Sequence, residues 1–152
     1  DTLNAWLIVI GEYDKKSGDM LSLLYKKFKC PLFRVSVQEA EMQKYVHNLF
    51  NAAKISFFNE MREIAKAMGA DADKVFQLTA ISAEGIWNPM YGIRDRGPFN
   101  GSCLPKDTKA FLHWAKTNGH DATILQAVVD ANEKLIEKLG IEKFDYGAVS
   151  RL

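Results

Sequence analysis

The sequence predicts a mainly helical domain built on one long helix, preceded by a short β-α-β edge of a parallel α/β sheet. Three observations point there. Residues 5–10 (AWLIVI) form a continuous apolar run of the kind found in strands buried on both faces. From Gln38 onward Met42, Val46, Leu49, Ala53, Phe57, Met61, Ile64 and Met68 recur at helical spacing over roughly thirty residues. Beyond Gly69 the remaining periodic stretches are helical, and glycines close them.

In chain order, Gly11 closes the first strand, residues 19–29 carry helical periodicity (Met20, Leu23, Leu24, Phe28), and residues 31–35 suit a second strand. Residues 1–35 thus read as the edge of a larger α/β domain and residues 36–152 as the helical domain. A lone strand cannot stand by itself and no initiator methionine opens the chain, so an excised domain is the expectation. The long helix would extend about 45 Å at 1.5 Å per residue. Ala52, Ile55 and Phe58 interrupt its polar side, so its middle is expected to pack on two faces, as suits a two-fold interface. Shorter helices follow at 73–80, 106–118 (closed by Gly119) and 122–139 (opened by Asp121, closed by Gly140). Between the first two runs a loop, 82–102, whose Trp87, Tyr91 and Phe99 argue for order.

Composition limits the function. The 152 residues carry 20 basic and 19 acidic side chains, a net charge of +1 without like-charge blocks. That is no footprint for nucleic acid or anionic membrane. No run approaches the ~20 apolar residues of a membrane span, and no signal-peptide pattern opens the chain. Two cysteines far apart suit a reduced, cytoplasmic protein better than a disulfide scaffold. His47, His113 and His120 lack metal-ligand spacing, so no metal is expected.

Chemistry concentrates in GPFNGSCLPKD, residues 97–107. Gly97 and Gly101 let the chain turn tightly, Pro105 suits a first helical position, and a helix start favours negative charge, so Cys103 is expected to be more acidic than a free thiol. Asp107 lies one turn beyond it. On the long helix Lys44 and Asn48 share a face away from the apolar stripe, with Asn59 returning to within about 60° of Lys44. A lysine near a thiolate can stabilise an oxyanion, and a carboxylate can orient water. Singly, each has an ordinary reading: Lys44 and Asn48 as solvated residues, Asp107 as a first-turn acid, Cys103 as a small hydrophobe. Cys30 beside Pro31 reads as a structural thiol, and Asn59 and Asn132 as satisfied structural amides.

Two segments, EAEMQKYVHNLFNAAKISFFNEM (residues 39–61) and YGIRDRGPFNGSCLPKDTKAF (residues 91–111), resemble the two signature regions of the UDP-glucose/GDP-mannose dehydrogenase family, in order and spacing. The resemblance implies that residues 1–35 end an NAD-binding Rossmann-type domain, and that the helical part is the family's central dimerisation domain, similar to the C-terminal domain of 6-phosphogluconate dehydrogenase. It implies oxidation of a nucleotide-sugar C6 alcohol to the acid, with two NAD reduced and the aldehyde trapped on cysteine. Carried over by residue, Cys103 is the nucleophile, Lys44 the acid/base and oxyanion-stabilising cation, Asn48 a polar partner and Asp107 the water-positioning group. Lys106 falls near the nicotinamide cofactor. Arg94, Arg96, Phe99, Asn100 and Gly101 belong to the substrate-embracing loop. UDP-glucose is the favoured substrate from the loop wording, with GDP-mannose and UDP-N-acetylhexosamines open. Asn100 replaces a usual glycine, and its tolerance of left-handed geometry is expected to preserve the turn. The G-x-G-x-x-G fingerprint and the nucleotide-sugar domain are absent, so the chain alone is expected to be inactive. The alternatives are a non-catalytic dimerisation module and a two-electron β-hydroxyacid or 6-phosphogluconate-type relative.

Overall fold

The computed structural model describes residues 5–95 and 97–141. Two strands and six helices follow in the order β1 (Ile8–Glu12), α1 (Lys15–Tyr25), β2 (Leu32–Ser36), α2 (Val37–Ala67), α3 (Ala72–Ser82), α4 (Glu84–Trp87), α5 (Leu104–Thr117) and α6 (Thr123–Leu139). The chain divides into two compact units, Asp1–Lys54 and Ile55–Leu152, so that α2 contributes to both.

In the first unit β1 and β2 pair in parallel, Ile8 opposite Leu32 and Glu12 opposite Ser36, with α1 between them in sequence. The β-α-β reading holds; its boundaries move. β1 runs through Gly11, which pairs with Val35. A Cβ on Gly11 would lie 2.9 Å from the Ala40 Cβ and 3.1 Å from the Val37 Cα, so glycine is what lets the start of α2 approach the strand. α1 begins at Lys15, earlier than its apolar periodicity suggested, because Asp14 caps it: the Ser17 N–H donates to Asp14 Oδ1 (2.7 Å) and the Asp14 N–H to Ser17 Oγ (3.3 Å). α2 opens on a second such box, in which the Ser36 N–H donates to Glu39 Oε2 (2.8 Å) and the Glu39 N–H to Ser36 Oγ (3.2 Å). The Ser36 backbone N–H, then its hydroxyl, holds the Glu39 carboxyl below its ordinary pKa.

Arg34 of β2 ties this unit together. Its Nε donates to Glu12 Oε2 (2.6 Å), its Nη1 to Asp19 Oδ1 (2.6 Å) and its Nη2 to the Lys15 carbonyl (3.2 Å). Lys15, then Arg34, draws the Asp19 pKa down, and Asp19, then Glu12, pushes the guanidinium up.

The long helix is as expected in extent, 31 residues. Its middle differs from the expectation of two packed faces: every residue from 41 to 57 is exposed. Apolar spacing alone marks a surface that demands cover, and nothing among the described residues supplies it.

The second unit packs the end of α2 against α5 and α6 through Ile64, Leu112, Ala115, Ala122, Leu125 and Val129, with Met61, Phe111 and Trp114 closing over them. Phe58 meets Phe76 of α3 edge-on at 4.9 Å, and Arg62 covers the same ring while pairing with Asp73. α2, α5 and α6 all end in the same doubly hydrogen-bonded turn; at α2 the Gly69 N–H reaches the Lys66 carbonyl and the Ala70 N–H the Ala65 carbonyl. Asp121 does not open α6. Its N-cap is Ala122, which has no side-chain cap bond, and Glu60 of α2 accepts from the Ile124 and Leu125 N–H groups instead (2.8 and 3.2 Å). The segment expected to be a loop after α3 contains the unforeseen helix α4.

Candidate functional site

Cys103 is the N-cap of α5 and leaves that helix start without a side-chain cap bond. Leu104 takes the first helical position and Pro105 the second, one later than expected; either place has an N–H that the helix cannot use, so proline costs nothing there. The Asp107 N–H closes the first turn onto the Cys103 carbonyl at 2.9 Å, which sets the thiol and the carboxylate one turn apart. Cys103 is exposed, Cys30 half-buried, and both are free thiols. Ser102 Oγ lies 3.7 Å from the Cys103 sulfur. Lys106 Nζ pairs with the Asp107 carboxylate at 3.3 Å, both largely exposed.

The loop entering the helix turns on glycines, Gly97 at φ +73° and Gly101 at φ +92°. Asn100 does not adopt the left-handed geometry expected of it, because no non-glycine among the described residues has positive φ. Its side chain instead accepts from the Gly101 N–H at 2.8 Å, so the turn is kept by an amide oxygen rather than by an inverted backbone. Asn132 of α6 donates its Nδ2 proton to the Phe99 carbonyl at 2.9 Å.

Beside this loop lies a cavity of about 640 Å³, lined by Glu84, Asn88, Tyr91, Arg94, Phe99, Asn100 and Leu104 among others. That volume suits a medium-sized ligand, and Arg94 and Glu84 in its wall suit a polar one. Arg94, Phe99 and Asn100 are expected from the sequence; Glu84 and Asn88 are not. Asn88, bonded to Glu84 at 2.8 Å and accepting from the Met90 N–H, folds the end of α4 back toward the loop. The Asn88-Pro89 pair was the available signal for a turn there. Arg96 lies outside the described residues.

Lys44 and Asn48 sit one turn apart on α2, both exposed, with Lys44 Nζ 5.4 Å from the Tyr45 ring centre. They belong to the first unit; Cys103, Lys106, Asp107 and the loop belong to the second. None of the described helices is long and apolar enough to cross a membrane.

The chain belongs to the UDP-glucose/GDP-mannose dehydrogenase family: residues 38–134 match the family's central domain. It is similar to GDP-mannose 6-dehydrogenase of Pseudomonas syringae pv. tomato, 37% identical over 131 residues that make up 86% of this chain and 30% of that protein. A UDP-glucose 6-dehydrogenase of Bacillus subtilis is 36% identical over 144 residues, 91% of this chain and 30% of the relative. Among solved structures, a ternary complex of GDP-mannose dehydrogenase from Pseudomonas aeruginosa superposes with a TM-score of 0.83 at 35% identity, covering 91% of this chain and 31% of that one. A UDP-glucose dehydrogenase from the archaeon Pyrobaculum islandicum gives 0.54 at 34% identity, covering 92% and 34%. The chain therefore spans about 30% of the length of these curated relatives.

Proposed function

We propose that this chain is the cysteine-bearing central portion of an NAD-dependent nucleotide-sugar 6-dehydrogenase, which oxidises the C6 alcohol of UDP-glucose, or of a related nucleotide sugar, to the carboxylate. The observation that carries the reading is an exposed Cys103 at the start of α5, one turn from Asp107, inside the segment that matches the family. In this reading residues 1–35 are the edge of the cofactor domain and residues 36–152 the central domain.

The chemistry balances on one thiol. Loss of a hydride from C6 and a proton from its hydroxyl leaves an aldehyde. The Cys103 thiolate forms a C–S bond to the aldehyde carbon, and the carbonyl oxygen takes a proton to give a thiohemiacetal. Loss of a second hydride from that carbon and of the hydroxyl proton gives a thioester. Water then adds, the C–S bond breaks, and the carboxylate leaves with the thiolate restored. Lys44 moves the hydroxyl protons and stabilises the oxyanions, Asn48 is its polar partner, and Asp107 orients the water. Arg94, Arg96, Phe99, Asn100 and Gly101 enclose the sugar nucleotide.

NAD, when bound, supplies the hydride acceptor for each oxidation. The start of α1 does not suit its pyrophosphate, because the Asp14 carboxylate already occupies that helix end. Lys106, exposed three residues beyond Cys103, is the residue assigned near the nicotinamide cofactor. The uncovered middle of α2 favours a second, compatible role, dimerisation through residues 38–68.

The test is made in the complete dehydrogenase carrying this segment, with UDP-glucose, GDP-mannose and UDP-N-acetylhexosamines in turn. Two NADH per sugar are expected with one of them, and Cys103→Ser should stall before acid release. A wild type that stops at one NADH with every sugar overturns the reading, as does a serine variant that forms acid at an undiminished rate.

A further inference from the structure

We propose that Asn132 is a positioning residue of the Cys103 site, the clamp that fixes the loop presenting the thiol. Leu125, Val129, Asn132 and Ile136 follow one another at spacings of four, three and four along one face of α6, and the three apolar members are buried. An alanine or leucine at the third place would favour the helix more than asparagine and would need no partner. The half-buried amide finds its partner far from its own helix, at the Phe99 carbonyl 2.9 Å away. Phe99 stands between Gly97 and Gly101, where the backbone has the fewest restraints of its own.

A second contact lies close by, since Leu139 Cδ1 is 3.9 Å from the place a Gly97 Cβ would occupy. α6 is in turn locked to α5, the helix that Cys103 opens, by Lys109–Glu133 at 2.8 Å and by the shared core. The loop and the helix start are thus referenced to the same helix pair. The Asn132 bond decides where the four residues before Cys103 run, and so where the sulfur meets a bound aldehyde.

This inference rests on Cys103 being the aldehyde-trapping nucleophile, and the experiment separates the two. In the complete dehydrogenase, NADH per nucleotide sugar is measured with hydroxylamine present to capture free aldehyde as its oxime. Asn132→Ala removes the donor; Asn132→Asp keeps the shape and, at neutral pH, sets an acceptor against the Phe99 carbonyl. Both are expected to form acid about tenfold more slowly, the scale of one lost hydrogen bond, with fewer than two NADH per sugar and with oxime appearing. A variant that was only less stable would lose rate in proportion to its folded fraction and keep two NADH per sugar. Two NADH and no oxime in a folded variant of either kind overturn the proposal. A wild type that stops at one NADH overturns the Cys103 reading, and this proposal with it.

Discussion

Gly18 lies directly against its neighbours' charges. It is buried within α1, and a Cβ there would run into Glu12 Oε2 and the Arg34 guanidinium, the groups that bind β1, β2 and α1 together. In an open helix Gly→Ala gains about 1 kcal/mol. Here the methyl group meets only the far ends of two flexible, partly exposed side chains, so the helix-propensity gain is offset by a weakened ion pair and Gly18→Ala is expected to leave the melting temperature of the first unit nearly unchanged. A rise of several degrees would show that the ion pairs yield freely. What was legible at this scale was local. The glycine turns and helix start around Cys103 could be read from eleven consecutive residues. The roles of Glu60 and Asn132 could not, because their partners lie 64 and 33 residues away and only tertiary packing brings them near. Asn100 was misread for a related reason, since sequence gives a residue's tolerance for a conformation but not the hydrogen bond that makes that conformation unnecessary.

At the scale of elements, helix ends decide more than helix interiors. Three of the longer helices begin on carboxylate or hydroxyl caps, at Asp14, Ser36 with Glu39, and Asp71, and the S-x-x-E spacing of Ser36 to Glu39 was present in the sequence as a start signal. The strands, the long helix and the glycine-closed ends were legible because period and punctuation are local properties. α6 is the exception, for its cap comes from another helix. Glu60→Ala is expected to destabilise the second unit by about 1–2 kcal/mol, the range for a lost cap at a helix N-terminus, with Asp121→Ala close to neutral. Chemical denaturation of the two variants checks this, and an Asp121 effect exceeding that of Glu60 would contradict the cap assignment.

The first unit carries a pH dependence of definite sign. The Asp19 and Glu39 carboxyls both titrate below their ordinary values when folded. Their contribution is fully present above the unfolded carboxylate range and is lost as pH falls through the lowered folded values, below about pH 4. Thermal unfolding of Glu39→Gln followed from pH 7 downward should therefore be less acid-sensitive than wild type, and 1 M salt should weaken only the Asp19 share, which depends on exposed ion pairs. Equal acid sensitivity in the two proteins would remove Glu39 from the account.

At the scale of the whole molecule, the feature with most consequence is the exposed apolar stretch of α2. Met42, Tyr45, Val46, Leu49, Phe50 and Phe57 are exposed along one side of α2 and Ile55 along the other, Leu49 to 65% and Phe50 to 61%. Single exposed apolar residues are ordinary on protein surfaces; six along one side of a helix mark a surface made for another. Sequence periodicity identified this face but could not say whether the chain's own helices would cover it, because that depends on where the later helices pack. They pack on the far end, against Met61 and Ile64. A long helix can meet a second copy of itself about a two-fold axis, each residue on one copy facing its counterpart's neighbours on the other. The chain is therefore expected to form dimers through residues within 38–68, and Leu49→Glu with Phe50→Glu should return it to monomers, since burying either carboxylate without a partner costs several kcal/mol. Light scattering and sedimentation across the micromolar range make the measurement, with circular dichroism confirming that the double variant keeps its helix content. Wild-type monomers at high micromolar concentration would rule out self-association and assign the face to segments that the relatives carry beyond this third of their length.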